Sequence, residues 1–274
     1  MTSTRLESRH VGGMRVDATS YEDAADRICS WAQSGASAFV SVASVNNVME
    51  ARDDPGFLGV MNRSDLVTPD GMPLVWALRL LGVRGATRVY GPDLTPVLCD
   101  RAAALGIPVA FYGGTPDVLR DLRANLAARH PGLRVVYSWP PPFRPLTEEE
   151  DREVTSEIAA SGARIVFVGL GTPKQELWMN DHLGAFPAVM VGVGAAFDFL
   201  AGHKVQAPQW MQRSGTEWAF RLATEPRRLW KRYLVRNPRF IALFAHQLMT
   251  AGGRAGGNGA SPPRSETGGG SIDD

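Results

Sequence analysis

The sequence predicts an α/β protein with a mostly parallel, Rossmann-like sheet and helices on both faces. Short apolar segments rich in β-branched residues alternate along the chain with longer amphipathic segments, which is the pattern of alternating strands and helices. Strands joined by helices run parallel, and a parallel sheet is buried on both of its faces. Ligands of such sheets bind beyond the carboxyl ends of the strands, so a functional site is expected there.

Five apolar segments are predicted to be buried strands. They are residues 38–44, 108–112, 133–138, 164–168 and 188–193. Helix starts are indicated by Ser20, by Thr115 followed by Pro116, and by Thr147 with Glu150 as a capping box. Each of these signals lies before the first predicted strand or between two of them, as the alternation requires.

The chain divides into three predicted parts. Residues 11–201 form an α/β catalytic domain, and residues 202–249 form a helical appendage in which the strand patterns stop. Residues 250–274 are rich in Gly, Ser and Pro and carry almost no large apolar side chain, so this tail is expected to be disordered.

The composition is that of a globular protein. The chain has 274 residues, of which 44% are hydrophobic and 21% charged, and its net charge of +1 does not indicate a nucleic-acid binder. The two cysteines, Cys29 and Cys99, lie far apart within amphipathic patterns, which argues against a disulfide framework or a zinc site and favours a reducing cytoplasm. No secretory signal or spanning segment is expected, so any contact with a membrane is peripheral.

Asp70 is the leading catalytic candidate. It follows the short apolar stretch 65–67 and precedes Gly71 and a helical pattern, which puts it at a strand-to-helix corner. Spacing alone leaves two alternatives open, in which Asp70 caps the following helix or lies in an exposed turn. Arg88, further along, has the planar fork that suits phosphate oxygens, although most arginines lie on surfaces.

Three glycine-rich segments follow predicted strands, at residues 111–117, 168–176 and 191–199. Glycine at such a corner lets the backbone approach a ligand, and the helix N-terminus beyond it favours an anion. The dinucleotide fingerprint is incomplete in these segments, and no Walker lysine loop occurs. A phosphorylated ligand is therefore favoured over NAD.

The appendage is basic and aromatic. Between residues 204 and 239 it carries nine Lys or Arg against two Glu. Arg228, Lys231 and Arg232 share one helical face beside Trp230. A helix that docks on anionic lipid has this composition; a solvated helix packed on its own core and, less favoured, a nucleic-acid-binding helix are the alternatives.

Several chemistries lack their motifs. The chain has no Asp-x-Asp pair for a metal–diphosphate complex, no G-x-S-x-G nucleophile elbow, and five histidines without ligand spacing. The sequence therefore favours a mechanism without metal or cofactor, in which Arg, Lys and backbone donors stabilise a leaving diphosphate.

Together, these motifs resemble those of the WecG/TagA/CpsF family of bacterial glycosyltransferases. The matching segments are SDLVTPDGMPLVW, RVYGPDL, YGGTPD, FVGLGTPKQELW, GVGAAFDFLAGHKVQAPQWMQ and GTEWAFRLATEPRRLWKRYLVRNPRF. The resemblance covers roughly residues 11–249, and several motifs in the same order make it specific. It implies an inverting, metal-independent transfer of N-acetylmannosamine or a related sugar from a UDP-sugar to an undecaprenyl-diphosphate-linked sugar in cell-surface polysaccharide synthesis.

The resemblance also implies roles for individual residues. The family's base corresponds to Asp70, its pocket arginine to Arg88 and the glutamine of its P-K-Q-E motif to Gln175. Its appendage arginines correspond to the segment that bears Arg221, Arg228 and Lys231. The other candidate substrate-binding residues, from the matching motifs and strand ends, are Ser44, Asn46, Asp93, Gly113, Gly114, Gly169, Lys174, Gly194 and Asp198.

One motif departs from the family pattern. Residues 42–44, Val-Ala-Ser, stand where many members carry T-x-N, so either Asn46 or Asn47 takes the place of the asparagine, and the donor sugar is not fixed. This departure motivates an alternative function, a catalytically inactive UDP-sugar-binding scaffold of an envelope-assembly complex.

The resemblance further implies the partners. They are a UDP-sugar donor, a polyprenyl-diphosphate-linked acceptor and an anionic membrane surface, with no nucleic acid and with homo-oligomerisation left open. The expected location is cytoplasmic, peripheral on the inner face of the cell membrane.

Overall fold

The computed structural model describes residues 6–255. Eight strands lie in this range: β1 (Ser8–Val11), β2 (Met14–Asp17), β3 (Ala38–Ala43), β4 (Leu66–Pro69), β5 (Val109–Gly113), β6 (Val135–Trp139), β7 (Ile165–Gly169) and β8 (Val189–Gly192). Six of them form a parallel sheet in the order β4-β3-β8-β7-β5-β6. The predicted α/β class is confirmed.

Helices fill the segments between the strands and the whole C-terminal part of the described range. They are α1 (Tyr21–Ser34), α2 (Val45–Asp53), α3 (Pro55–Arg63), α4 (Met72–Leu80), α5 (Gly91–Leu105), α6 (Pro116–Arg129), α7 (Glu148–Ser161), α8 (Lys174–Asp181), α9 (Ala196–Leu200), α10 (Gln209–Arg213), α11 (Glu217–Thr224), α12 (Pro226–Trp230) and α13 (Asn237–Ala255). A π-helical segment, Lys231–Arg236, joins α12 to α13.

The helix start signals work as predicted. The side chains of Ser20 and Thr115 cap α1 and α6 by accepting hydrogen bonds from the backbone N–H three residues on. Thr147 and Glu150 form the predicted capping box at the start of α7. The five predicted strands all occur, each within two residues of its predicted ends.

The sequence patterns missed the β1–β2 hairpin, which lies outside the main sheet. Gly12 and Gly13 turn its chain with φ of 62° and 93°, the left-handed values that a two-residue hairpin turn requires. The buried carboxylate of Asp17, at the end of β2, accepts a 2.8 Å hydrogen bond from the backbone N–H of Val67. This bond fixes the hairpin against edge strand β4.

Alternate side chains of each strand enter different cores. In β7, Ile165 and Phe167 face the core shared with α1, α5, α6 and α9, while Val166 and Val168 face the core shared with α7 and α8. A third core lies between the hairpin, α2, α3, α4 and α13. The sheet is therefore covered on both faces, and its open edge for ligands is the carboxyl end of its strands.

The last helix is packed into the protein rather than attached to its surface. Phe240 and Phe244 of α13 are buried in the third core, and Gln247 exchanges hydrogen bonds with the backbone of His10 and Gly12. The helix continues to Ala255, so the boundary predicted at residue 250 falls inside it; residues 256–274 of the predicted tail lie outside the described range. Within that range no helix combines the length and apolar character needed to span a bilayer.

Candidate active site at the carboxyl ends of the strands

Asp70 lies where β4 ends, at the carboxyl edge of the sheet. Its backbone N–H donates a 2.8 Å bond to Ala43 at the end of neighbouring β3, which fixes the corner. The N-cap of α4 is Gly71, without any side-chain cap, so the capping alternative for Asp70 is wrong. The Asp70 side chain is 23% exposed, and its buried Oδ1 accepts no hydrogen bond from the described residues. This carboxylate is thus positioned by backbone and has a free oxygen.

Arg88 lies directly beside this carboxylate. Its Nη2 is 3.8 Å from Asp70 Oδ1, and its Nε donates to the backbone carbonyl oxygen of Asp70. The same Nη2 donates a 2.6 Å hydrogen bond to Oε2 of Glu217 in α11. The guanidinium carbon also lies 4.1 Å from the centre of the Tyr90 ring, a cation–π contact. Arg88 is therefore fixed from three directions, and its close ion pair is with Glu217.

The surroundings of Asp70 make it a stronger base than an ordinary aspartate. Burial raises the pKa of Asp70, and the nearby charge of Glu217 raises it further, while Arg88, Arg221 and Arg232 act in the opposite direction; the resulting pKa is about 6. A carboxyl with such a pKa is mostly ionised at neutral pH yet accepts a proton more readily than a solvated one.

Two hollows meet at Asp70. The first, which we call the strand-end hollow, is bounded by Gly171, Thr172 and Gly194 beyond β7 and β8, and by Tyr90 and Arg228.

The second, which we call the appendage hollow, is bounded by Asn46, Met72, Glu217, Trp218 and Tyr233. Four residues line both hollows: Ser44, Asp70, Arg221 and Arg232. A group bound in either hollow would therefore lie against the free carboxylate.

Arginines from the appendage dominate the strand-end hollow. Arg232 Nη2 donates a 3.0 Å hydrogen bond to Ser44 Oγ. Arg221 has a buried Nε that donates to no described residue, and Arg228 is paired with Glu225. Burial lowers the pKa of Arg232, and the neighbouring charges of Arg221 and Arg228 lower it further. Three guanidinium groups thus share the hollow, an arrangement that an anion would stabilise.

A buried network holds the floor of the strand-end hollow. Gln175 Oε1 accepts hydrogen bonds of 3.1 Å from the backbone N–H groups of Gly171 and Gly194. Its Nε2 donates to Glu176 Oε1 at 3.0 Å, an oxygen that also accepts from Asn47 at 2.8 Å. Burial raises the pKa of Glu176. Gln175 therefore occupies two backbone donors that the glycine-rich corners were expected to offer to a ligand.

Comparison with known proteins decides the family. Residues 9–254 match the model of the family described as Glycosyl transferase WecG/TagA/CpsF family. The chain belongs to the WecG/TagA/CpsF family of glycosyltransferases.

A relative from Bacillus spizizenii (strain ATCC 23059 / NRRL B-14472 / W23) is named N-acetylglucosaminyldiphosphoundecaprenol N-acetyl-beta-D-mannosaminyltransferase. It is 32% identical over 215 residues, which cover 78% of this chain and 81% of the relative. The resemblance derived from the motifs is thereby confirmed.

In this WecG/TagA/CpsF glycosyltransferase, eight of the predicted site residues line the two hollows. They are Ser44, Asn46, Asp70, Arg88, Gln175, Gly194, Arg221 and Arg228. Of the two asparagines left open, Asn46 borders the appendage hollow, while Asn47 borders the strand-end hollow with its side chain already bonded to Ser44, Thr172 and Glu176. Asn46 also accepts a 2.6 Å hydrogen bond from Arg236, so the structure brings both asparagines to the site, one in each hollow.

Four predicted polar residues lie away from both hollows. The Asp93 carboxylate accepts a hydrogen bond from the hydroxyl of Tyr21, and Asp198 is paired with Lys204. Lys174 is exposed at the start of α8. Lys231 is also exposed, with its ammonium 5.6 Å from the Trp230 ring centre.

The glycines at the ends of β5 and β7 serve close packing. A Cβ atom on Gly113 would lie 2.6 Å from the backbone of Gly169, and one on Gly169 would lie 2.6 Å from the Phe197 ring. A Cβ on Gly114, where φ is 73°, would lie 3.3 Å from Val118. None of the three lines either hollow, so their lack of a side chain is explained by strand and ring contacts.

Sequence reasoning missed two central side chains, Glu217 and Arg232. Both lie in the appendage, far along the chain from Asp70, so no local spacing links them to it. The available signal was the position of Glu217 one turn before Arg221 on a helix, which places both on one face. In the described part of the chain, no three His, Cys, Asp or Glu side chains are grouped to hold a metal ion.

Proposed function

We propose that this glycosyltransferase moves a sugar from a UDP-sugar to a polyprenyl-diphosphate-linked sugar, with inversion and without a metal ion. The name of the Bacillus spizizenii relative supports a lipid-diphosphate-linked acceptor and an N-acetylmannosaminyl group. The observation that carries the proposal is the free Oδ1 of Asp70 at the wall shared by two hollows, each of which is lined by three arginines.

The donor diphosphate is assigned to the strand-end hollow. Arg221, Arg228 and Arg232 supply positive charge there, and guanidinium forks bind phosphate oxygens through paired hydrogen bonds. During transfer, negative charge develops on the leaving diphosphate, and preorganised cations stabilise it without reorganisation. The arginines would thus perform the charge stabilisation that a metal ion performs in other transferases.

The acceptor sugar is assigned to the appendage hollow. Trp218 and Tyr233 supply apolar faces, and Asn46 supplies a hydrogen-bonding amide. An acceptor hydroxyl placed between Asp70 and the donor would lose its proton to Oδ1 as its oxygen attacks the anomeric carbon. Because attack and departure occur from opposite hollows, the configuration at that carbon inverts.

The membrane surface is assigned to the appendage. Its apolar side chains Trp230, Leu234 and Ile241 are 46%, 56% and 67% exposed, and the basic side chain of Lys231 is exposed among them. Exposed apolar side chains beside basic ones bind anionic lipid surfaces. Docking there would bring a lipid-linked acceptor to the appendage hollow.

Product analysis tests the proposal. The full-length protein is incubated with a panel of UDP-sugars and a short-chain polyprenyl-diphosphate-linked sugar, in the presence of EDTA, and products are identified by mass spectrometry and NMR. The expected result is one disaccharide product with the anomeric configuration opposite to that of the donor. UDP-sugar binding with no product on any acceptor would contradict it and favour the inactive scaffold, and dependence on added metal would contradict the metal-free mechanism.

A further inference from the structure

A carboxylate of the appendage competes with Asp70 for Arg88. Glu217 Oε2 lies 2.6 Å from Arg88 Nη2, whereas Asp70 Oδ1 lies 3.8 Å from the same nitrogen. Both carboxylates are largely shielded from water, with 14% of the Glu217 side chain and 23% of the Asp70 side chain exposed. In this competition Glu217 holds the hydrogen bond and Asp70 does not.

The remaining contacts of Arg88 keep it in this position. Its Nε donates to the backbone carbonyl of Asp70, and the guanidinium lies against the Tyr90 ring. Because Nε and the face of the guanidinium are both fixed, Nη2 points to whichever of the two carboxylates binds it. At 3.8 Å from Asp70 Oδ1, this nitrogen is about half an ångström beyond hydrogen-bonding range of that oxygen, on the side of Glu217.

From this geometry we infer that Glu217 is a positioning residue that holds Arg88 away from Asp70 and so preserves Asp70 as a strong base. The inference rests on the proposed function for its catalytic consequence. Without Glu217, the guanidinium would close on Asp70 and form an ordinary buried ion pair. An aspartate paired with arginine is a weak base, because the opposite charge stabilises its ionised form.

The charges around Asp70 support this role. Burial contributes most to the raised pKa of Asp70; among the charged groups around it, Arg88, Arg221 and Arg232 lower that pKa and Glu217 raises it. Glu217 belongs to α11, the helix that also supplies Trp218 and Arg221 to the site. The same helix that contributes a binding cation thus contributes the anion that keeps Asp70 basic.

A direct titration tests the inference without relying on turnover. The carboxyl carbon of Asp70 is followed by ¹³C NMR in the full-length protein as a function of pH, and its signal is assigned by its loss in Asp70→Asn. In the native protein the midpoint is expected near the raised pKa of about 6. In Glu217→Gln, which removes the charge that holds Arg88 away from Asp70, the midpoint is expected to fall by about one pH unit or more.

A control separates this effect from the loss of a carboxylate that pairs with arginine elsewhere in the protein. Glu22 of α1 pairs with Arg101 of α5 and is itself exposed, so Glu22→Gln makes the same substitution in an ion pair between helices outside both hollows. Its Asp70 midpoint should equal that of the native protein. An Asp70 midpoint that is the same in Glu217→Gln and native protein would overturn the role of Glu217, as would an equal fall in Glu22→Gln.

Rate measurements complete the test. For Glu217→Gln, the acid limb of the kcat/KM profile should move to lower pH in parallel with the titration, and kcat at pH 7.5 should be reduced. A reduced kcat with an unmoved acid limb would indicate a merely structural contact and overturn the inference. If the titration behaves as expected but the native protein transfers no sugar, the proposed function fails and the positioning of Arg88 by Glu217 stands.

Discussion

Arg232 and Ser44 are joined by a 3.0 Å hydrogen bond between Nη2 and Oγ, although they lie 188 positions apart in the chain. Ser44 is the N-cap residue of α2, directly after β3, and Arg232 lies in the π-helical segment of the appendage. The bond therefore joins the strand ends of the sheet to the appendage at the wall between the two hollows. It fixes a guanidinium within reach of any anion held at the strand ends.

Replacing Arg232 by methionine should weaken UDP binding. The loss of a charged hydrogen bond costs about 1.5 to 3 kcal/mol, which corresponds to roughly 10- to 100-fold in the dissociation constant. Isothermal titration calorimetry with UDP measures this directly. Arg239→Met is the control, because Arg239 lies in the adjoining helix but pairs with Asp53 on the surface. Equal UDP affinity in Arg232→Met and native protein would contradict the assignment of the strand-end hollow.

Sequence patterns predicted the sheet because the signals that fix its elements are local. Buried β-branched runs and the caps at Ser20, Thr115 and Thr147 are each defined within a few residues. The β1–β2 hairpin was missed because its strands have only four residues each, too few to show a period. Its one clear signal was the Gly12–Gly13 turn.

The site was predicted only in part, for a physical reason. Asp70 lies directly after strand β4 and Gln175 at the start of the helix that follows β7, and the fold class itself indicates chemistry at such corners. Glu217 and Arg232 reach the site by the packing of the appendage, and no local spacing in the sequence links them to Asp70. A glycine at a strand-end corner can admit either a ligand or a close protein contact, and the sequence analysis assigned Gly113 and Gly169 to ligand binding. The contact with Phe197 that explains Gly169 is visible only in three dimensions.

Asp70→Asn should abolish transfer without unfolding the protein. The amide keeps the shape of the side chain but does not accept a proton from the acceptor, and loss of a general base lowers rates by about 10² to 10⁴. The measurements are UDP release with acceptor present, UDP affinity, and thermal melting. Asp117→Asn, at the exposed start of α6, is the control and should retain native turnover. Near-native turnover of Asp70→Asn would exclude this residue as the base.

Activity and stability should respond to pH with opposite signs. Burial and the charge of Glu217 raise the pKa of Asp70 to about 6, so kcat/KM should rise as pH increases through about 6 and then level off, because the base acts when ionised. The folded state holds this proton more tightly than the unfolded chain. Asp70 therefore lowers the free energy of unfolding as pH rises from its ordinary pKa to about 6.

Two measurements separate these effects. Initial rates are measured between roughly pH 5 and 8.5. They locate the acid limb, which is the fall of kcat/KM on the acid side of the profile. Urea unfolding of native protein and of Asp70→Asn is measured at both ends of this range. The stability of Asp70→Asn relative to the native protein should be greater at the alkaline end. Rates that show no acid limb within this range would show that Asp70 is not perturbed.

Gly169→Ala should destabilise the protein by overpacking. The new methyl group would lie 2.6 Å from the Phe197 ring, and forced repacking of this kind costs about 1 to 3 kcal/mol. Gly85→Ala is the matched control, since a Cβ there meets nothing within 4 Å. Urea unfolding should show a loss for the first variant and none for the second. Combining Gly169→Ala with Phe197→Leu should recover part of the loss; no recovery would mean that the ring is not the obstacle.

Replacing exposed apolar side chains of the appendage by glutamate should release the protein from anionic vesicles. Leu234 and Ile241 lie seven residues apart and are 56% and 67% exposed, so Leu234→Glu with Ile241→Glu leaves the core intact. Burial of one such side chain contributes roughly 1.5 to 3 kcal/mol, so sedimentation with phosphatidylglycerol vesicles should weaken at least about tenfold. Phe143→Glu is the control, because Phe143 is 93% exposed but lies beyond β6, outside the appendage. If Phe143→Glu weakens vesicle binding as much as the double variant does, the appendage is not the docking surface.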